Sequence, residues 1–81
     1  LFRSLIYVPV PNGSKHDERI LSFCYNNART ATEITTYLGV SDSTYFRNKI
    51  LNNLVENDYL IISGEGRKKY YKTNQNNVNL E

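Results

Sequence analysis

Cysteine and histidine each occur once, as Cys24 and His16. One thiol cannot close a disulfide within the chain, and one Cys with one His cannot supply a structural zinc site. No metal and no cofactor is therefore expected, and the lone thiol points to a reducing, cytoplasmic setting. Long apolar runs are missing too. The longest is Leu5–Val10, interrupted by Pro9 and followed by Pro11, whereas a membrane-spanning helix needs ~20 residues. No membrane partner is expected. A charged start, apolar stretch and small-residue cleavage site are lacking, so no signal peptide is expected. No glycine spacing matches a phosphate-binding loop, and no nucleophile has a base partner, so the chain is not expected to be an enzyme.

What is present suits one small domain. The 81 residues are 40% apolar and 22% charged, within the range of a globular protein. Net charge is only +2, but its distribution is uneven. Residues 42–72 hold Arg47, Lys49, Arg67, Lys68, Lys69 and Lys72 against Asp42, Glu56, Asp58 and Glu65, and Arg67-Lys68-Lys69 is an unbroken cationic run. A clustered patch attracts polyanions even on a nearly neutral chain. The start at Leu1 without a methionine leads us to expect a piece of a longer protein. Asn74-Gln75-Asn76-Asn77 reads as a polar tail with nothing to bury, closed by Leu80-Glu81 as a tag scar.

The elements follow from capping signals and periodicity. Leu5-Ile6-Tyr7-Val8 has strand propensity and is halted by Pro-Val-Pro-Asn-Gly. It fits an edge strand, the last strand of an upstream domain, or an arm to a second subunit. A first helix is expected over about 15–26, with Ser14 as N-cap and Ile20, Phe23 and Cys24 on one face. Cys24 is read as a small core residue. Thr30-Ala31-Thr32-Glu33 matches a capping box, Ala31, Ile34 and Leu38 make an inward stripe, and Gly39 ends the second helix. A third helix is expected over about 42–57, capped by Ser41 or Asp42, with Phe46, Ile50, Leu51, Leu54 and Val55 as its apolar arc. By helical angle Arg47 falls within that arc. Tyr59–Ser63 reads as a strand, Gly64-Glu65-Gly66 as a tight turn, and Lys69–Thr73 as the returning strand.

Helix, glycine turn, helix and basic hairpin, in that order, outline a mainly α fold with a small β-hairpin: a winged helix-turn-helix of three helices plus wing. The expected organisation is an N-terminal strand or linker over 1–13, the winged helix over 14–73, and a disordered polar tail over 74–81. The chain resembles the C-terminal winged helix of a bacterial family of transcriptional regulators, or ATP-dependent DNA helicase-like proteins, that carry a Schlafen-like (divergent AAA) domain upstream. Ile20-Leu21-Ser22-Phe23-Cys24, Ala31–Ile34 through Leu38-Gly39, and Thr44-Tyr45-Phe46-Arg47 with Ile50-Leu51 and Leu54–Leu60 carry the likeness, over about 17–73. It departs from the family in its short hairpin tip, Ser63–Arg67, where a longer one rich in Pro, Asp and Lys is the pattern. It departs also at Asp58, where glycine is common.

On this reading the partner is double-stranded DNA. Ser43, Thr44, Arg47 and Asn48 are the candidate base readers, since Arg suits guanine and Asn suits adenine through paired donors and acceptors. Lys49, Arg67, Lys68 and Lys69 are the candidate phosphate contacts. The alternative is a protein-interaction winged helix that mediates homodimerisation or docks on an upstream domain. The acidic Glu56, Asp58 and Glu65 and the seven tyrosines favour that alternative.

Overall fold

The structure, a computed structural model, describes residues 4–64 and 66–80. The elements run β1 (Leu5–Ile6), α1 (Asp17–Phe23), α2 (Ala31–Leu38), α3 (residues 44–56), β2 (Leu60–Ser63), β3 (Tyr70–Thr73) and β4 (Asn79–Leu80). Three helices thus combine with two antiparallel strand pairs, β1 with β4 and β2 with β3. The three helices and the β2–β3 hairpin are the coarse layout expected; the β1–β4 pair makes the domain mixed α/β rather than mainly α.

The first helix is shorter than the expected 15–26. Before it, the Ser14 hydroxyl accepts from the His16 N–H and the Asp17 carboxylate accepts from the Ser14 N–H, both at 2.9 Å. These bonds hold residues 14–16 in a tight turn, so the helix begins only at Asp17. After it, the Tyr25 N–H turns back to the Ser22 carbonyl, and the chain extends to exchange two backbone hydrogen bonds between Arg29 and Tyr71, at 2.9 and 2.7 Å. That bridge ties the α1–α2 connection to the hairpin.

α2 starts as its sequence dictates. Thr30 Oγ1 accepts from the Glu33 N–H at 3.2 Å and Glu33 Oε1 accepts from the Thr30 N–H at 2.9 Å, satisfying two free backbone donors reciprocally. Gly39 closes it at φ +75°, in the left-handed region that a Cβ disfavours.

α3 differs from expectation in both cap and winding. Ser43, not Ser41 or Asp42, is the cap: its hydroxyl accepts from the Phe46 N–H at 3.1 Å. The middle of the helix, Phe46–Leu51, is wound as a π-helix, and Asn52–Glu56 returns to α winding. The Asn52 N–H bonds to the Arg47 carbonyl, five residues back rather than four. An α-helix would align Arg47 with Leu51 and Leu54 on the buried side. The wider turn realigns Phe46 with Leu51, both buried, and leaves Arg47 exposed. The awkward position of Arg47 in the apolar arc is thus resolved by local winding.

Past α3, Asp58 adopts φ +63°, with the Tyr59 N–H bonding to the Leu54 carbonyl at 2.9 Å. Asp therefore takes the left-handed position where a glycine is common, which Asp tolerates better than most residues.

The core gathers Ile20 and Leu21 of α1 with Cys24 at its C-terminal cap, Ile34 of α2, Leu51 and Leu54 of α3 and Leu60 of β2. Burial pushes the Cys24 thiol up to about 12, as befits a packing residue. Thr73 Oγ1 donates to the Leu21 carbonyl at 2.6 Å, fastening β3 to α1.

Residues 74–80 are placed differently from the disordered polar tail read from the sequence. Val78 is 0% exposed within the core, a burial worth about 1.5–3 kcal/mol. The Asn74 and Asn77 amides both donate to the Asp58 carbonyl at 2.9 Å, and Leu80 pairs with Leu5. The polar run that looked inert thus delivers an apolar anchor. Leu5-Ile6 is an edge strand paired with this segment, and the following loop is tied down as the Asn53 amide donates to the Pro11 carbonyl at 3.1 Å. Among the described residues no helix is long and apolar enough to cross a membrane, and no cluster of His, Cys, Asp or Glu could hold a metal ion.

Candidate nucleic-acid interface

The hairpin presents its cations in a loop. Pairing runs from Leu60↔Thr73 to Ser63↔Tyr70 and stops there. Residues 64–69 therefore connect the strands, where the sequence reads a tight turn over Gly64-Glu65-Gly66 with a return strand from Lys69. The neck is narrow: a Cβ on Gly64 would meet the Lys68 carbonyl oxygen at 2.1 Å. Only glycine permits that approach. Gly66 sits at φ +63°, and Arg67, Lys68 and Lys69 follow it, all exposed. Glu65 lies outside the described residues.

Along the hairpin, Leu60, Ile62, Tyr71 and Thr73 share one face, and Leu60, Tyr71 and Thr73 are buried. Tyr70 is half-buried on the other face, so the tandem tyrosines divide as alternation requires. Burial also raises the Tyr71 hydroxyl above its ordinary value.

Two open grooves flank α3. The larger, ≈ 700 Å³, lies between α3, the start of α2 and the hairpin loop; Arg47, Asn48 and Asn52 line it from α3, and Ile62, Arg67, Lys68, Lys69 and Tyr71 from the hairpin. The smaller, ≈ 570 Å³, lies on the other flank, between α3 and the loop Asn12–Ser14, with Tyr45, Lys49, Asn53 and Glu56 among its lining. Asn48 and Asn52 border both grooves, on the ridge that separates them.

This geometry divides the sequence-predicted residues. Arg47, Asn48, Arg67, Lys68 and Lys69 are brought together in the larger groove. Lys49 is not among them; it is exposed on the opposite flank, in the groove that Glu56 also lines. Ser43 is half-buried and its hydroxyl is engaged as the α3 cap, so its oxygen is committed to the fold. Thr44 is exposed in the first turn but lines neither groove.

Four cationic side chains face the larger groove against one described carboxylate, Asp42. Asp42 Oδ1 accepts from Arg47 Nε at 2.8 Å, and its other oxygen accepts from Thr32 Oγ1 at 3.1 Å. The Arg47 guanidinium holds the Asp42 carboxyl below its ordinary value and is itself stabilised in its charged form. Glu33 is also held low, chiefly by the Thr30 N–H of the capping box.

Reasoning on sequence missed Asp42, Thr32 and Asn52 as members of this surface. The i, i+4 spacing of Asn48 and Asn52 is a local signal for a shared helix face. Nothing local signals the approach of Thr32 to Asp42, which is made by the corner between α2 and α3. No protein-family model matches the chain and no curated protein matches it, so the reading of this surface rests on its geometry and charge.

Proposed function

We propose that the chain is a winged-helix module that binds double-stranded DNA, with α3 in the major groove and the hairpin loop as the wing on phosphates. The observation that carries this is the single groove shared by Arg47 and Asn48 of α3 and by Arg67, Lys68 and Lys69 of the hairpin. A major groove admits one α-helix, and a sugar-phosphate strand then runs along each flank of it. The two grooves beside α3 suit that arrangement, with the ridge of Asn48 and Asn52 directed at base edges. Asn can pair with adenine through its amide, whereas the loop lysines and arginine match phosphates as charges. The resemblance to bacterial transcriptional regulators suggests a cytoplasmic regulator's DNA-binding piece, without catalysis of its own.

Three loop cations on phosphates give a slope of log affinity against log salt of about −2.7, and Lys49 on the opposite strand brings it to about −3.6. Such modest charge suits a module that acts with a second copy or with an upstream domain of the same protein. The test is titration of the chain with random-sequence duplex over a salt series. Slopes in this range support the proposal; no retention on duplex or heparin at low salt ends it.

A protein-interaction role is the second reading, favoured by the exposed Tyr45 (69% exposed) and Ile61 (52% exposed). A module of that kind passes through heparin, and Arg67→Ala with Lys68→Ala leaves its behaviour unchanged.

A further inference from the structure

We infer that Asp42 and Thr32 form a buttress that aims the Arg47 guanidinium, so that Arg47 reads a guanine edge through its two terminal nitrogens. This rests on the duplex-binding reading and adds to it a specificity device and a base.

An arginine on an exposed helix turn samples many rotamers, and a swinging guanidinium serves phosphate as well as base. Arg47 is different. Its Nε donates to Asp42 Oδ1 at 2.8 Å, although the side chain is 52% exposed. Asp42 in turn is not free to follow it. Its second oxygen accepts from the Thr32 hydroxyl at 3.1 Å, and Thr32 sits in the first turn of α2, next to the capping box. The chain Thr32–Asp42–Arg47 therefore anchors the guanidinium to a different helix from its own.

The engaged atom matters. Guanidinium has five N–H donors in a rigid fork, and Nε takes one of them. Among the described residues the two terminal nitrogens make no hydrogen bond, and they are the pair that matches O6 and N7 of guanine. The π-turn contributes by rotating Arg47 off the buried side toward the groove that it shares with Asn48.

The buttress also explains a carboxylate in a groove whose other charged residues are all cations. An unpaired Asp42 there would repel phosphate. With both oxygens engaged it directs the adjacent positive charge instead. A buttress and a bare repulsive charge predict different outcomes on removal, and the test uses that difference.

The experiment is sequence selection from randomised duplexes with the 81-residue chain, beside affinity for random duplex, for wild type, Asp42→Ala, Asp42→Asn, Thr32→Val and Arg47→Lys. Wild type should prefer guanine at one base pair by about tenfold. Asp42→Ala and Arg47→Lys should each abolish that preference, while affinity for random duplex holds or rises in Asp42→Ala because a negative charge is gone. Asp42→Asn keeps an acceptor oxygen and should retain part of the preference; Thr32→Val should weaken it at the same base pair. Should Asp42→Ala fail to fold, Asp42→Asn and Thr32→Val decide. Preference at that base pair unmoved by the Asp42 and Thr32 changes overturns the buttress while leaving duplex binding in place. An equal rise for all duplexes on Asp42→Ala, preference intact, overturns it also, since Asp42 then acts only as repulsive charge. Failure of the wild-type chain to bind any duplex removes the DNA reading itself, and the buttress with it.

Discussion

The two flanks of α3 are built from different chemistry. On the hairpin side, Arg47, Arg67, Lys68 and Lys69 face one groove, with the Asp42 charge already paired. On the other side, Lys49 and Glu56 offset each other, and the lining is chiefly amide and tyrosine: Asn12, Asn53 and Tyr45, with the shared Asn48 and Asn52. One helix thus separates a charged groove from a hydrogen-bonding one. On the proposed reading a polyanion would be drawn and held mainly by the first, with contacts on the second, Lys49 apart, short-ranged and little affected by salt. On the proposed DNA-binding reading, this asymmetry assigns most of the strength and salt response to the hairpin and discrimination to α3 and its amides.

Five changes would break or sharpen that contrast. The largest effect is expected from Arg67→Ala with Lys68→Ala, which should lower affinity similarly for all duplex sequences. It should also flatten the salt slope by about 1.8, read from binding isotherms over a salt series. An unaltered slope would take the hairpin out of the interface. Next is Gly64→Ala, whose Cβ has no room against the Lys68 carbonyl. It should destabilise the fold by about 1–3 kcal/mol in chemical denaturation and reduce the salt slope together with it, since the loop must rearrange. Third, Asn48→Ala should relax preference at one base pair by about 1–3 kcal/mol in a selection experiment, without moving the salt slope. Fourth, Lys49→Ala should flatten the slope by only about 0.9, half the effect of the hairpin pair. A larger change would transfer charge dominance to the other flank.

The smallest effect concerns acid. Glu33 and Asp42 are held below their ordinary values in the fold, by the Thr30 N–H and by Arg47 respectively. Groups with depressed folded values bind fewer protons folded than unfolded. They therefore contribute stability that is present at neutral pH and lost as pH falls through those values. The buried Asp17 has the opposite sign: burial raises its carboxyl, so its contribution falls as pH rises between the unfolded and folded values. Melting temperature against pH for Glu33→Gln should show a shallower acid limb than wild type; an identical limb would mean that the capping carboxylate carries no linkage.

Much of the fold was legible because its signals are local. The Thr30–Glu33 capping box, the Gly39 stop and the Ile34/Leu38 stripe need only neighbours within one or two turns, and each stands where it was read. The ends of α1 were less legible because Ser14 and Asp17 make a turn from the same residue types that would cap a helix. The grouping of the candidate residues was legible only in part. The cationic run is visible in sequence, but its confinement to a loop depends on the close crossing of Gly64 and Lys68. The fate of Lys49 depended on which flank of α3 it occupies, and a π-turn shifts that phase by a residue, whereas Ser43 was taken up as the cap of α3.

Composition and short-range pattern by themselves determined three helices, a glycine-ended second helix, a hairpin with a cationic end and a buried lone thiol. Each follows from backbone hydrogen bonding or hydrophobic periodicity over a few residues. Tertiary structure alone decided that Val78 returns to the core, that Arg47 leaves it, that Asp42 ties α2 to α3, and that Lys49 faces away from the other cations. Those outcomes depend on which surfaces meet when the helices pack. Filling the core and pairing its polar neighbours outweighs the preference of any single turn.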